Sequence, residues 1–483
     1  MEGLKAKTTR GLFWSLLDSF GVYIVKFGFS IIIARTLSPD DYGLMGMILI
    51  FIAMGQVLTQ SGFPAALVQK KDVTANDYNT TFWFTVLAGI TVWVILFFSA
   101  GAIARFFDRP LLTAVTRVAS LGIVINALGS VHVAILTRDL NFRRQTWLNF
   151  IGTVVSGITG LTMALKGYAV WALVFQTLAG NLIYIAGLWI TSRWRPLFVF
   201  DLNSFRSIFR FSYKILLQGI MDVIFTKVYF PLIGKMYAAL QLGYYTNASR
   251  FHELFIKQSS VSVTRVIFPA FSSVQDDRER FNKNYLSSFN MLAMIMFAGT
   301  VLLIICSRPF ISLALTEKWV PAVPYLQLFF TEGFFFPLLI FNQNILLSAG
   351  RSGLSLKIDI IRKAVIFLSI LLVWRVGIEA LIAGQVAATA IALLISSLAV
   401  VKYQRLKLGE IGREMIKLAT IAAACLLVSY GLIDLFTMND LTELAVKGIM
   451  IPLLFLLLAL LLRLRALTDI RKLAAEQITR YRK

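Results

Sequence analysis

The chain has 483 residues, 58% of them hydrophobic, and its mean hydropathy of +0.76 lies well above that of a soluble protein, in which roughly half the residues are apolar. Its 47 Lys and Arg against 25 Asp and Glu give a net charge of +22. In a soluble chain that excess would suggest nucleic acid; in a membrane chain it follows from the enrichment of Lys and Arg in cytoplasmic loops, and nucleic acid is not expected as a partner.

At 58% of 483, about 280 positions are apolar, enough for roughly fourteen bilayer crossings of about 20 residues each. Residues 1–10 are polar and basic. The apolar run after them is too long for the core of a signal peptide and no small-residue cleavage site follows, so the first span is expected to be retained. In chain order the spans are expected at about 11–34, 43–66, 79–104, 113–136, 146–165, 168–191, 211–234, 238–266, 284–306, 321–348, 355–375, 377–400, 414–436 and 444–464. Fourteen spans place both termini on one side. The loops and tails of that side hold roughly 28 Lys and Arg, among them Lys70, Lys71, Arg138, Arg193, Arg278, Arg351, Lys402 and Arg405, and the opposite loops roughly 9. An error in the span count would scramble this alternation, so both termini are expected in the cytoplasm.

No loop exceeds about 20 residues, which leaves no room for a soluble catalytic domain. The connector Leu202–Phe211 sets Leu202, Phe205 and Phe209 at helical spacing and is expected to lie in the cytoplasmic interface. Leu467, Ile470, Leu473 and Ile478 do the same in the basic tail. Cys306 and Cys425 lie far apart in apolar runs, and His132 and His252 are the only histidines. A disulfide framework and a metal site are therefore not expected.

The chain repeats itself. Ile33-Ala34-Arg35 with Tyr42-Gly43-Leu44 returns 200 residues later as Ile233-Gly234-Lys235 with Leu242-Gly243-Tyr244. Phe63-Pro64-Ala65 with Val68-Gln69 returns as Phe268-Pro269-Ala270 with Val274-Gln275. Six spans separate the copies, so both halves enter the membrane in one orientation. They are expected to be related by a pseudo-two-fold axis along the membrane normal, with a cavity between them.

Ala34-Arg35-Thr36-Leu37-Ser38-Pro39-Asp40-Asp41-Tyr42-Gly43-Leu44 and Ala66-Leu67-Val68-Gln69-Lys70-Lys71 resemble the signature of bacterial polysaccharide flippases. So do Arg138-Asp139-Leu140-Asn141-Phe142-Arg143, Trp171-Ala172-Leu173-Val174 and Leu242-Gly243-Tyr244-Tyr245. The chain is similar to Wzx-type exporters of the multidrug/oligosaccharidyl-lipid/polysaccharide superfamily, in particular the colanic-acid and teichuronic-acid branch. The resemblance implies an all-α integral membrane fold of two six-helix bundles plus two peripheral helices. Its divisions are 1–200, a connector at 201–212, 213–408, two further helices at 409–465 and a tail at 466–483. It also implies an activity in the bacterial cytoplasmic membrane, the translocation of an undecaprenyl-diphosphate-linked oligosaccharide, without enzymatic catalysis. The implied partners are that substrate, membrane lipids, and the polymerase and chain-length machinery of exopolysaccharide or lipopolysaccharide assembly.

An ionisable group at mid-bilayer costs at least about 2.5–3.5 kcal/mol and therefore faces a cavity or a partner. Lys26 and Lys227 occupy nearly equivalent repeat positions, Arg250 and Lys257 share one helix face, and Arg362 lies in the eleventh span. A diphosphate is matched by such a set, Arg through paired hydrogen bonds and Lys as a point charge. The resemblance adds that such flippases have a cationic central cavity. Pairing within the membrane fits the same residues: Glu253 with Lys257, Asp359 with Arg362, and Lys227 reaching toward an interface.

There is no GxxxxGK[ST] loop, so ATP is not hydrolysed by this chain and no cofactor is expected. Uphill movement would draw on Na⁺ or H⁺, and Asp222, Asp359 and Glu332 are the candidate coupling residues. Two other readings compete. A cation-coupled multidrug exporter of the same superfamily calls for an acidic cavity, whereas charge inside these spans leans basic. A polysaccharide polymerase or ligase calls for a long external loop, which the chain lacks.

Overall fold

The computed structural model describes residues 21–469, apart from 61, 259, 261–266, 268–270, 272–276, 407 and 432–437. The described residues form helices and their connections, with no strand among them. In hydrocarbon every backbone N–H and C=O must be satisfied within the chain, and the helix does this locally.

The chain divides into two compact units, Met1–Thr246 and Asn247–Lys483. The first holds α1 (Tyr23–Thr36), α2 (Pro39–Gln60), α3 (Phe63–Gln69), α4 (Ala75–Phe106), α5 (Leu111–Ala119) and α6 (Leu121–Arg138). It continues with α7 (Phe142–Leu165), α8 (Val170–Thr191), α9 (Leu202–Lys227), α10 (Tyr229–Met236) and the start of α11 (Ala239–His252). The second opens with a π-helical turn at Glu253–Lys257. It then holds α12 (Arg278–Leu315), α13 (Val323–Thr331), α14 (Phe336–Ser348), α15 (Ser352–Val373), α16 (Ile378–Gln404), α17 (Leu408–Gly431) and α18 (Asp440–Leu461).

Among the described residues ten helical stretches are long and apolar enough to cross a membrane. α1, α11, α15 and α17 fall on the four remaining expected spans; α15 carries Lys357, Asp359, Arg362 and Lys363 within its length. The outer surface is apolar as lipid contact requires, with Phe98 77%, Ile190 80% and Leu372 71% exposed. The tail stripe beyond Leu467 lies outside the described residues, as does the second Phe-Pro-Ala motif.

Local sequence sets the helix starts. Ser38 and Asp41 form a reciprocal cap at α2: Ser38 N–H donates to Asp41 Oδ2 at 2.9 Å, and Asp41 N–H to Ser38 Oγ at 3.3 Å. Thr74 and Asp77 repeat this arrangement at α4. Asp201 caps α9, which makes the expected interfacial connector the first turns of one continuous helix through Lys227. Ser204, Ile208 and Ser212 form its buried side, while Leu202 and Phe209 are exposed, because the helix packs against α2, α3 and α4. Pro64, Pro231 and Pro337 each stand in the first turn of a new helix. There the missing N–H has no intrahelical partner to lose.

The repeat has a direct structural expression within the first unit. A Cβ on Gly43 would stand 1.9 Å from the Ala239 carbonyl oxygen, and one on Gly243 would stand 1.8 Å from that of Pro39. Gly43 and Gly243, like Pro39 and Ala239, are 200 positions apart. Each motif therefore packs on the other's partner, the reciprocal contact of a two-fold relation. Only glycine permits backbones to approach so closely.

Alternate loops collect at common ends. Arg138 donates to the carbonyls of Leu67, Lys70 and Lys71, and residues 197 and 201 bond to Asn79 and Thr80. In the second unit Arg278, Arg351, Lys402 and Arg405 surround one cavity. The core of that unit is aromatic, built on Phe281, Tyr285, Phe289 and Phe341, and α17 and α18 join it through Cys425 and Phe455.

Candidate functional site

The five expected cations divide between the units. In the first, Lys26 is exposed on α1, and Lys227 is half-buried at the end of α9 with its ammonium 5.3 Å from the Phe230 ring centre. In the second, Arg250 is half-buried at the end of α11, and Lys257 closes the π-helical turn. Arg362 sits on α15 beside its partner: its Nη2 is 3.0 Å from Asp359 Oδ1, and Lys363 Nζ lies 2.8 Å from Asp359 Oδ2. Glu253 and Lys257 are 4.0 Å apart, a loose pair one turn apart.

The three expected carboxylates differ in surroundings. Asp359 is held by two cations of its own helix. Asp222 is half-buried on α9, and its backbone carbonyl accepts from Thr226 Oγ1 at 2.6 Å. Glu332 is 1% exposed at the 3₁₀ break between α13 and α14. Thr389 Oγ1 donates to its Oε1 at 2.7 Å and Gln385 Nε2 to its Oε2 at 3.2 Å. His252 Nε2 lies 2.9 Å from Oε2, a close contact without the alignment of a hydrogen bond. The imidazole stacks on Phe329 with ring centres 5.2 Å apart. Lys257 is near enough for its charge to act on the carboxylate. Phe329 and Phe330 are packed, at 2% and 3% exposed.

This network lies where two helices depart from α geometry, beside the π turn and on the 3₁₀ break. Such departures interrupt the i→i−4 backbone ladder and often mark a hinge. Sequence reasoning singled out Glu332 but not His252, Gln385 or Thr389. The available signal was the lone histidine two residues after Arg250, with a Gln and a Thr four apart on a facing span. Among the described residues no group of three His, Cys, Asp or Glu side chains is placed to hold a metal ion.

The residues of the motifs do structural work. Arg138 clamps the end of α3, and Lys70 Nζ stands 2.7 Å from Asp77 Oδ2, whose side chain is fully buried. Asn141 accepts from Arg144 N–H at the start of α7. They fix one end of the first unit and explain a shared signature at helix ends rather than within the spans.

Helices of spanning length, an apolar outer surface and buried ionisable clusters define an all-α membrane transporter fold. The fold is shared with the solved structure of the lipid II flippase MurJ in an inward closed conformation, at a TM-score of 0.77 and 15% identity, covering 94% of this chain and 99% of that one. The chain belongs to the polysaccharide biosynthesis protein family, whose pattern matches residues 32–324. It is similar to the teichuronic acid biosynthesis protein TuaB of Bacillus subtilis (strain 168), 24% identical over 360 residues and 74% of each chain. It is also similar to the lipopolysaccharide biosynthesis protein WzxC of Escherichia coli (strain K12), 25% identical over 369 residues, 74% of this chain and 73% of that one.

Proposed function

We propose that the chain is a flippase that carries an undecaprenyl-diphosphate-linked oligosaccharide across the cytoplasmic membrane by alternating access, with both termini in the cytoplasm. The observation that carries this reading is membership of the polysaccharide biosynthesis family together with a fold shared with a lipid II flippase over 94% of the chain. The repeat supplies the two six-helix bundles, 1–200 and 213–408, that exchange access, and 409–465 adds two helices to the second. Lys26, Lys227, Arg250, Lys257 and Arg362 are the cations that receive the diphosphate, while the lipid tail stays in the bilayer. The basic lean of these spans disfavours a cationic drug as cargo. A polymerase and its chain-length machinery would consume the product on the far side.

For energy coupling, Glu332 stands out from Asp222 and Asp359. Asp359 is already matched by two cations, whereas Glu332 is buried against the imidazole of His252. A proton moving on and off the Glu332–His252 pair would change the charge at the junction of two irregular helices, and so bias one arrangement over the other.

The test is replacement of the wild type in cells by Lys26→Ala and by Arg250→Ala at matched expression, with the exposed Arg413→Ala as control. Loss of polymer with accumulation of lipid-linked repeat units on the cytoplasmic leaflet supports the reading. Normal export by both variants removes these residues from the substrate path.

A further inference from the structure

A cavity of about 860 Å³ opens at the basic end of the second unit, bounded by the start of α12, the start of α15 and the end of α16. Arg278, Arg351, Lys402 and Arg405 line it, all exposed. Among the described residues no carboxylate lines the cavity, and none is ion-paired with any of these four. Four cations around one concavity repel one another, so an anionic occupant gains from all of them at once.

The cations are held in place. The Arg351 guanidinium lies over the Tyr403 ring, 4.6 Å from its centre. Arg278 Nη2 donates to the Tyr403 carbonyl at 3.0 Å, and Asn282 Nδ2 to that of Gln404 at 3.1 Å. These bonds cover carbonyls at the negative end of α16, which would otherwise oppose an anion. Arg405 takes the left-handed conformation there, with φ +55°, and turns the chain out of the helix. Arg351 itself precedes the first turn of α15, whose leading N–H groups add to the positive field.

A second feature decides between a dissolved anion and a lipid. Ile391, Leu394 and Leu398 are exposed on α16 at spacings of three and four, and the same stripe ends at Lys402. On α15, Leu354 lines the cavity, and Leu356 and Ile360 beyond it are exposed. Acyl chains lying along these stripes bring their headgroup to the four cations.

We propose that this cavity binds the phosphate of an anionic membrane lipid headgroup. Arginine suits phosphate because its planar fork makes two parallel hydrogen bonds to one group, and the site holds three. The site is independent of the transport reading, because binding is read without turnover.

The experiment is native mass spectrometry of the purified full chain titrated with phosphatidylglycerol or phosphatidylcholine. The variants are Arg351→Gln, Arg405→Gln and Lys402→Gln, with Arg413→Gln, an exposed cation outside the cavity, as control. At about 1 kcal/mol per basic residue near a lipid surface, each cavity variant weakens phosphatidylglycerol retention about fivefold. The control and the phosphatidylcholine adduct stay unchanged, and matched melting temperatures show that the variants are folded. Equal loss in Arg413→Gln, or equal retention of the two lipids, overturns the proposal. So does inorganic pyrophosphate that binds as tightly as the lipid and strips it from the wild type, since the site would then be one for a soluble anion.

Discussion

Removing the Glu332 carboxylate tests the buried network of the second unit. Three groups converge on it, Thr389 at 2.7 Å, Gln385 at 3.2 Å and His252 at 2.9 Å. Hydrogen bonds to an ionised group contribute about 1.5–3 kcal/mol each, with the longer bond from half-buried Gln385 at or below the low end. Glu332→Ala takes all three partners away together and leaves His252, 1% exposed, against the Phe329 ring. Breaking a buried pair in this way costs about 3–5 kcal/mol. Glu332→Gln keeps the volume and one carbonyl for Thr389, so its cost is that of one or two weakened bonds, about 1–2 kcal/mol. Thermal unfolding of the purified protein, followed by tryptophan fluorescence, should rank the variants wild type, then Gln, then Ala. Because the residues touch, Glu332→Ala and His252→Ala should be non-additive by about 0.5–3 kcal/mol. Polymer export then separates packing from coupling: Glu332→Gln should fold and fail to export. An Ala variant as stable as the wild type would refute the network, and a Gln variant exporting normally would refute the coupling role.

Other expectations follow from single contacts. Gly43→Val and Gly243→Val place carbon within 1.9 and 1.8 Å of a backbone oxygen, so each should destabilise by at least about 1–3 kcal/mol. Gly28→Ala and Gly101→Ala, with nothing within 4 Å, should unfold with the wild type; equal effects in all four would remove the close crossing. Lys70→Met leaves fully buried Asp77 without its cation. Water around the one-third exposed lysine screens the pair, so the loss should be about 1–3 kcal/mol, with Asp77→Asn recovering part of it in the double variant. Asp201 accepts from the Ser204 hydroxyl and from the N–H groups of Asn203 and Ser204, and these bonds hold its carboxyl below the ordinary 3.8. A depressed pKa means that the cap contributes fully above the ordinary value and is lost as pH falls through the lowered one. Amide exchange at Asn203 and Ser204 should therefore differ between wild type and Asp201→Ala at neutral pH and converge in acid; a difference that persists in acid contradicts the assignment.

The sequence alone determined the membrane class, the positions of the spans and the alternation of the loops. Each of these depends on local composition: a crossing must be apolar over its length, and Lys and Arg are enriched in the loops of one side. It also determined the repeat, because Gly43 and Gly243 are marked by neighbours at fixed offsets. The tertiary structure decided what depends on distant residues meeting. Glu332 could be singled out as a carboxylate inside a span, but His252 and Thr389 lie 80 and 57 positions from it, and nothing local to either marks them as its partners. Pro64 and Pro337 fall within expected spans, and only the backbone shows that new helices begin there. Arg278, Arg351, Lys402 and Arg405 appear in the sequence as separate loop charges. Their gathering around one cavity follows from how α12, α15 and α16 end together, because a helix carries its terminal residues to wherever packing of its apolar face has placed it.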